Sequence, residues 1–344
     1  MKALAAILVE SKKPLVLEEI EIPSLRFGQV LVKVICTGIC GAQINEIDAV
    51  KGPDKFLPHL LGHEATATVV DVGEGVTTVK PGDRVVMHWR KGSGIHAPTP
   101  KYKSPVGTVN SGWVTTFNEM AIVSENRVTT VPADFDPEAG ALMGCAVTTA
   151  FGVINNDAGV RAGESVVVFG AGGVGLNVVQ AAAMVSAHPI VAIDLFDSKL
   201  ELARSLGATH IINSAKQDPA PEVLKIVGQR GADVIVEVTG NARVIEKAYE
   251  LTQPQGRTIL VGVPREKATI YTLPLHHDKI LRGSEGGQTQ PERDIPNYVK
   301  LCQAGKLNLK PIITNHYSFE NINDAIADIR AGRVPGRCIV QMKG

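Results

Sequence analysis

A glycine-rich segment between residues 170 and 175 has the spacing of a phosphate-binding turn. It reads Gly170-Ala171-Gly172-Gly173-Val174-Gly175, follows the apolar run SVVVFG, and precedes the amphipathic stretch LNVVQAAAMVSA. Between a strand and a helix, the first glycine permits a tight turn, the second lets backbone N–H groups approach a pyrophosphate, and the last allows close packing of helix on strand. The motif predicts a dinucleotide site formed by Gly170, Gly172, Gly173, Val174 and Gly175.

An acidic residue stands where the next strand of such a unit would end. Asp194 closes PIVAID about two dozen residues after Gly170, where a carboxylate can accept hydrogen bonds from both hydroxyls of an adenosine ribose. The same carboxylate would repel a 2′-phosphate, and the following LFDSK contains no arginine to pair with one. We therefore expect NAD rather than NADP. Lys199 either reaches the same ribose or is an exposed helix lysine.

Two cysteines and a histidine carry side chains that can bind a metal ion. Cys40 lies in TGICG, His63 precedes Glu64 in LLGHEATATVV, and Cys145 lies in LMGCAVTTA. Taken singly, each cysteine is as readily explained as a buried, inert thiol, and the Gly-His-Glu sequence as an incidental turn. The five cysteines include no Cys-x-x-Cys pair. A zinc ribbon or finger is therefore excluded, and a metal site would have to be assembled from distant segments.

The elements that must position these residues change their hydrophobic period along the chain. Up to about residue 130, short runs such as LVKVICTG and ATATVVDVG alternate with Gly and Pro, which predicts an antiparallel β domain. From about residue 165, buried runs such as SVVVFG and DVIVEV alternate with helical stretches, which predicts a doubly wound parallel sheet. The tail after about residue 286 ends in another strand, RCIVQM, and is expected to return to the first domain.

Length and charge limit the classes of function. A chain of 344 residues is long enough for two domains. Its 35 basic and 35 acidic residues balance and form no long run of one sign, which disfavours nucleic acid and anionic membranes as partners. The N-terminal MKALAAILVESKK has too short an apolar run for a signal peptide, and no apolar stretch is long enough to span a bilayer. We expect a cytoplasmic protein with a small-molecule substrate.

Together, these motifs resemble the zinc-containing alcohol dehydrogenase family of the medium-chain dehydrogenases over nearly the whole chain. TGICG, GHE and MGCAVTT match the family's ligand segments, and VGEGVTTVKPGDRV and the nucleotide motif match as well. The resemblance implies that Cys40, His63 and Cys145 bind one catalytic zinc, with a fourth position open for water or substrate. It implies that Glu64 neighbours the metal and exchanges onto it.

Further residues and the domain plan follow from the same resemblance. Thr149 is implied beside the nicotinamide, Arg337 at the pyrophosphate, and Trp89 at a position that lines the substrate pocket. The implied fold is α/β: a GroES-like antiparallel β catalytic domain of residues 1–146 with 286–344, and a Rossmann NAD-binding domain of residues 147–285. The implied activity is hydride transfer between NAD(H) and an alcohol, aldehyde or ketone. A homodimer or homotetramer joined through the nucleotide domains is also implied.

The chain departs from the family pattern beside the first ligand. The family places a serine or threonine, an aspartate and often a histidine at the positions occupied here by Ala42, Gln43 and Asn45. These departures leave the metal and hydride residues in place but change the route by which the substrate proton leaves. Water, Glu46 or His59 are candidates to replace that route.

The four-cysteine lobe that binds a structural zinc in many relatives is also missing. No cysteine lies between Cys40 and Cys145, so one zinc per subunit is predicted. The polar stretch that includes His88, Arg90 and Lys91 either favours a polar or anionic substrate or is a solvated loop. Two alternatives therefore stay open: a polyol or sugar-derivative dehydrogenase of the same family, and a catalytically inactive zinc-binding or structural homologue.

Overall fold

A computed structural model describes residues 1–343, which fall into two compact units. The first unit comprises Met1–Cys145 and the residues from Gln290 onward, and the second comprises Ala146–Thr289. The strands in chain order are β1 (Lys2–Leu8), β2 (Val16–Glu21), β3 (Gln29–Gly38), β4 (His59–Leu60), β5 (Glu64–Val72), β6 (Arg84–His88), β7 (Lys101–Ser104), β8 (Gly107–Asn110), β9 (Met120–Ser124), β10 (Val128–Thr130), β11 (Val166–Phe169), β12 (Ile190–Asp194), β13 (His210–Asn213), β14 (Ala232–Glu237), β15 (Thr252–Leu260), β16 (Ile280–Gly283), β17 (Ile313–Ser318) and β18 (Arg337–Gln341). The α-helices are α1 (Gly41–Ile47), α2 (Pro137–Met143), α3 (Ala146–Gly152), α4 (Gly173–Met184), α5 (Asp197–Ser205), α6 (Pro219–Val227), α7 (Ala242–Leu251), α8 (Pro291–Gln303) and α9 (Ile322–Arg330).

The first unit is built on two sheets. Five strands close into a barrel in the order β1-β2-β7-β8-β4, and a larger sheet has the order β10-β6-β5-β3-β18-β17, with β9 also paired to β3. Alternation along β3 explains how one strand serves two cores, because Val30, Val32 and Val34 pack into one cluster and Leu31 into another. Most pairings are antiparallel, as predicted, and the late strand β18 pairs with β3.

The second unit is a parallel sheet with helices. Its strand order is β13-β12-β11-β14-β15-β16, and all of the pairings are parallel. All four residues of β11 are buried, which is why its sequence is continuously apolar. This order is that of a dinucleotide-binding fold, in which the ligand site lies at the carboxyl ends of the strands where the order reverses, here between β11 and β14.

Membrane-spanning helices were sought over residues 1–343. No single helix there is long and apolar enough to cross a bilayer, and one bent pair, Pro137–Met143 with Ala146–Ala158, passes the test jointly by length and composition only.

Candidate metal and dinucleotide sites

Cys40, His63 and Cys145 come together in the first unit. Their candidate ligand atoms lie within 4.8 Å of one another, and the two sulfur atoms are 3.9 Å apart. The Nε2 atom of His63 is buried and has no hydrogen-bond partner among the residues that the structure describes. Two sulfur donors and an unpaired ring nitrogen at this spacing suit a tetrahedral cation such as zinc, with a fourth position left for another ligand. It is the only cluster of this kind within residues 1–343.

Three different elements carry the three side chains. Cys40 is the N-cap residue of α1, His63 immediately precedes β5, and Cys145 follows the end of α2. Gly144 permits the close approach of the third element, because a Cβ atom there would lie 2.3 Å from the carbonyl oxygen of Met87 and 2.8 Å from Cα of Glu64. Any larger residue at position 144 would push Cys145 away from the other two ligands.

The surroundings of Cys40 favour its thiolate. The hydrogen bond with Cys145 holds the pKa of the Cys40 thiol well below its usual range, and His63 and Arg337 add to that effect. Gln43 also lies in this shell: its Oε1 accepts from the backbone N–H of Cys40 at 3.0 Å, and its Nε2 is hydrogen bonded to Nδ1 of His63. A deprotonated sulfur is the form that binds metal ions.

Glu64 and Arg337 form a buried ion pair. Glu64 is fully buried at the start of β5, Arg337 is buried at the start of β18, and a guanidinium nitrogen contacts Oε1 of Glu64. Glu64 is not part of the Cys–His–Cys cluster. Its exchange onto the metal and the contact of Arg337 with the pyrophosphate stay predictions, and the structure adds that the two side chains neutralise each other.

Trp89 lies beside the cluster. Its ring centroid is 6.5 Å from that of His63, and its backbone carbonyl accepts a hydrogen bond from Arg127. Arg127 is 7% exposed and its guanidinium also lies 5.3 Å from the ring centroid of Trp113. Sequence reasoning missed this hydrogen bond, because nothing in ENRVTT indicates that Arg127 contacts a residue 38 positions earlier in the chain.

His88 is not available to a substrate. Its Nδ1 donates to the carbonyl oxygen of Arg90 at 2.7 Å, and its Nε2 lies 2.9 Å from Oγ1 of Thr129. Burial lowers the pKa of His88 to about 4, so the ring is neutral at physiological pH. His88 is therefore a core residue, and neither interpretation of this stretch, an anion-attracting site or a solvated loop, applies to it.

Acidification is expected to destabilise the folded chain through His88. Its pKa falls from the ordinary value of 6.5 to about 4 on folding, so between these values the unfolded chain binds the proton and the folded chain does not. The contribution is fully present above pH 6.5 and is lost as the pH falls towards 4, about 3 kcal/mol in all. Urea unfolding at a series of pH values measures it, and His88→Asn should flatten the dependence. An unchanged slope in that variant would contradict the assignment.

The glycine turn in the second unit has the geometry of a close helix approach. Gly170 has φ of +97°, Gly172 is the N-cap residue of α4, and Gly173 and Val174 form its first turn. A Cβ atom on Gly175 would lie 1.8 Å from the carbonyl oxygen of Gly170, whereas one on Gly172 would meet nothing within 4 Å. The helix therefore needs glycine at 175 for packing, and position 172 leaves open space in front of the helix N-terminus.

Asp194 fastens the end of β12 to this turn. Its Oδ2 accepts from the N–H of Ala171 at 2.8 Å, and its Oδ1 accepts from the N–H groups of Leu195 and Phe196 at 2.8 and 3.1 Å. Oδ1 already accepts two hydrogen bonds, whereas Oδ2 accepts one and retains acceptor capacity for a further donor. Lys199 lies over the Phe196 ring at 5.0 Å, and its contact with a ribose stays a prediction.

Thr149 and Glu237 are two further buried polar residues of the second unit. Thr149 is buried in α3, and its role beside a nicotinamide stays a prediction. Glu237, which the sequence analysis did not single out, is fully buried at the end of β14 and accepts hydrogen bonds from the N–H groups of Thr239 and Gly240. Burial raises the pKa of Glu237. An acidic residue inside the apolar run DVIVEV was the available signal.

The residues that depart from the family pattern lie on or near α1. Ala42 is exposed and Asn45 is half-buried. Of the candidates for another proton route, Glu46 is exposed, whereas His59 is buried and paired with Asp54 at 2.7 Å. His59 is therefore already committed to a carboxylate on one ring nitrogen.

Family models match both parts of the chain. Residues 26–133 match the alcohol dehydrogenase GroES-like domain, and residues 173–304 match the zinc-binding dehydrogenase domain. The chain is 33% identical to the S-(hydroxymethyl)glutathione dehydrogenase of Escherichia coli, over 97% of this chain and 98% of that protein.

Solved structures are similar over the full length. An alcohol dehydrogenase zinc-binding domain protein from Burkholderia ambifaria is 28% identical with a TM-score of 0.91, and covers 100% of both chains. The benzyl alcohol dehydrogenase of Acinetobacter calcoaceticus is 28% identical with a TM-score of 0.90 and the same coverage. These similarities confirm the predicted fold class, a GroES-like β domain combined with a Rossmann parallel sheet.

Proposed function

Because the chain belongs to the zinc-containing alcohol dehydrogenase family, we propose that Cys40, His63 and Cys145 hold one catalytic zinc in an enzyme that oxidises an alcohol with NAD. The membership confirms the predicted class, a zinc-dependent oxidoreductase acting on alcohols or carbonyl compounds, and the predicted zinc and NAD cofactors. We propose in addition which residues bind each cofactor, that NAD is preferred over NADP, and that the substrate is an alcohol.

The unpaired Nε2 of His63 carries the metal assignment. A buried ring nitrogen without a partner is costly unless a ligand satisfies it, and it lies in a cluster with two sulfur atoms, one of them on a thiol with a lowered pKa. Two thiolates and one imidazole are a donor set that catalytic zinc accepts. The residues present therefore fit the metal.

The chain's own residues divide the remaining work. When bound, zinc supplies a Lewis acid that polarises the oxygen of an alcohol or carbonyl. The ring of Trp89 provides an apolar surface beside His63. Arg127 holds Trp89 in place by donating a hydrogen bond to its backbone carbonyl. Gly144 keeps Cys145 close enough to share one ion with Cys40.

The second unit is proposed to bind the coenzyme. Backbone N–H groups at the N-terminus of α4 point into open space in front of Gly172, where an anionic pyrophosphate is favoured. Asp194 accepts a ribose hydroxyl at Oδ2, the oxygen that retains acceptor capacity after the three backbone bonds, and repels a 2′-phosphate.

Restoring a hydroxyl beside the first ligand tests the proton route. Ala42→Ser is expected to raise the rate of alcohol oxidation below about pH 8, because a hydroxyl can accept and pass on the substrate proton. The dependence of kcat on pH measures this, and Ala49→Ser, placed just beyond α1, is the control. Identical profiles for Ala42→Ser and the unmodified chain would contradict the idea.

A substrate screen tests the activity itself. NADH absorbance is followed with short primary alcohols, benzyl alcohol, a glutathione hydroxymethyl adduct and sorbitol-like polyols, with and without a zinc chelator. The proposal expects chelator-sensitive turnover that prefers NAD to NADP. Exclusive turnover of polyols would favour a polyol or sugar-derivative dehydrogenase. The lack of a hydroxyl at Ala42 supports that alternative. Failure across the panel with zinc bound would favour an inactive homologue.

We propose a homodimer or homotetramer joined through the second unit, where β16 is an edge strand that pairs with β15 and Ile280 on it is 45% exposed. A cytoplasmic location stays a prediction.

A further inference from the structure

Gln43 contacts two of the three candidate ligands at once. The side chain is 2% exposed, its Oε1 accepts from the backbone N–H of Cys40, and its Nε2 donates to Nδ1 of His63. The same amide therefore caps the start of α1 and sets the orientation of the histidine ring. The other ring nitrogen, Nε2, is buried and has no hydrogen-bond partner within residues 1–343.

The hydrogen bond from Gln43 determines where the proton of a neutral His63 ring lies. A neutral imidazole carries one proton, and a nitrogen that accepts a hydrogen bond cannot hold it. Because Oε1 of Gln43 faces the N–H of Cys40, its Nε2 faces Nδ1 of His63, and a neutral ring that accepts there carries its proton on Nε2. A metal ion at Nε2 needs the lone pair of that atom, so binding moves the proton to Nδ1.

Metal binding then leaves Gln43 with one acceptor for two donors. The backbone N–H of Cys40 and the Nδ1–H of His63 both point at the amide, whose oxygen faces only one of them. Rotating the amide by half a turn would turn its oxygen towards Nδ1–H of His63, but the N–H of Cys40 would then lose its acceptor. In the metal-loaded site one buried N–H therefore faces the amide N–H₂ group and has no acceptor. This unsatisfied donor weakens zinc binding.

We propose that Gln43 is a positioning residue that orders Cys40 and His63 before the metal arrives and holds the zinc affinity of the site below that of a carboxylate at the same position. The inference rests on the proposed function, because it takes these residues as the zinc ligands. A glutamate has nearly the shape of glutamine and two acceptor oxygens. It would satisfy both donors in the loaded site without altering the packing.

The test is the zinc affinity of Gln43→Glu in the full chain. Competition with a chromophoric chelator should show zinc bound about 10-fold to 100-fold more tightly than in the unmodified protein. Gln29→Glu is the matched control: Gln29 is also 2% exposed, and its amide bridges the N–H of Arg26 and the carbonyl of Pro98, each at 2.8 Å. It is expected to leave the zinc affinity unchanged. Equal or weaker binding by folded Gln43→Glu overturns the proposal.

A spectroscopic measurement on the unmodified chain decides the question if the variant does not fold. Nitrogen-15 NMR of the His63 ring, identified by its loss in His63→Gln, should show the proton on Nε2 in the metal-free chain and on Nδ1 after zinc is added. A proton already on Nδ1 without metal overturns the proposal. Failure of the proposed function looks different, because Cys40→Ser would then bind zinc as tightly as the unmodified chain.

Discussion

Replacing Cys40 with serine is expected to remove the zinc and to lower kcat/KM by about a thousandfold or more, the size of a lost Lewis acid that supplies several kcal/mol. Cys40 contributes one of two sulfur donors in a three-residue cluster, and its thiol has a lowered pKa. Serine is a favoured N-cap residue, so α1 should keep its start. Elemental analysis after gel filtration measures the zinc, and alcohol-dependent NADH formation measures the activity.

Cys302→Ser is the matched control for this experiment. Cys302 is half-buried like Cys40 but lies in α8, outside the cluster. Its variant should keep about one zinc per chain and ordinary turnover, as the predicted single site requires. Retention of stoichiometric zinc and activity by Cys40→Ser would refute the metal assignment, and a second zinc in the unmodified chain would refute the predicted stoichiometry.

Replacing Asp194 with asparagine is expected to lower kcat/KM for NAD by about 100-fold, because hydrogen bonds to a charged acceptor contribute about 1.5–3 kcal/mol each. Activity with NADP should fall less, since the repulsion of a 2′-phosphate is also removed. The ratio of the two kcat/KM values separates coenzyme recognition from a general loss. Asparagine keeps the size of the side chain and one acceptor for the N–H groups of Leu195 and Phe196.

Asp197→Asn controls for the loss of a charge near the turn. Asp197 lies at the start of α5, is exposed, and pairs with Lys216 at 2.6 Å. An exposed pair contributes little, so this variant should keep the NAD to NADP ratio of the unmodified chain. The same ratio in Asp194→Asn would remove Asp194 from coenzyme recognition.

Much of the second unit could be predicted from the sequence because its signals are local. Buried apolar runs, a glycine turn and an acidic residue at the end of the second strand follow one another within a strand–turn–helix–strand segment. In the structure, Oδ2 of Asp194 accepts a hydrogen bond of 2.8 Å from the N–H of Ala171. The antiparallel character of the first unit was equally visible, since apolar runs such as those within β3 and β5 are separated by Gly and Pro.

Contacts between distant segments were beyond the sequence. Arg127 is hydrogen bonded to Trp89, and Arg337 pairs with Glu64. In both cases the sequence around one partner gives no signal of the other. Such pairings depend on strand order in the larger sheet, where β18 inserts beside β3 although it ends the chain. Hydrophobic alternation specifies a strand's faces but not its neighbours.

For the three residues of the proposed metal site, the sequence by itself determined the donor chemistry: two thiols, one imidazole, and no second set of cysteines for another zinc. Only the tertiary structure decided that the three meet within 4.8 Å and that Gln43 joins Cys40 to His63 through one amide. The reason is that donor type is a property of each side chain, whereas distance and hydrogen-bond direction arise when β3, β5 and α2 pack together.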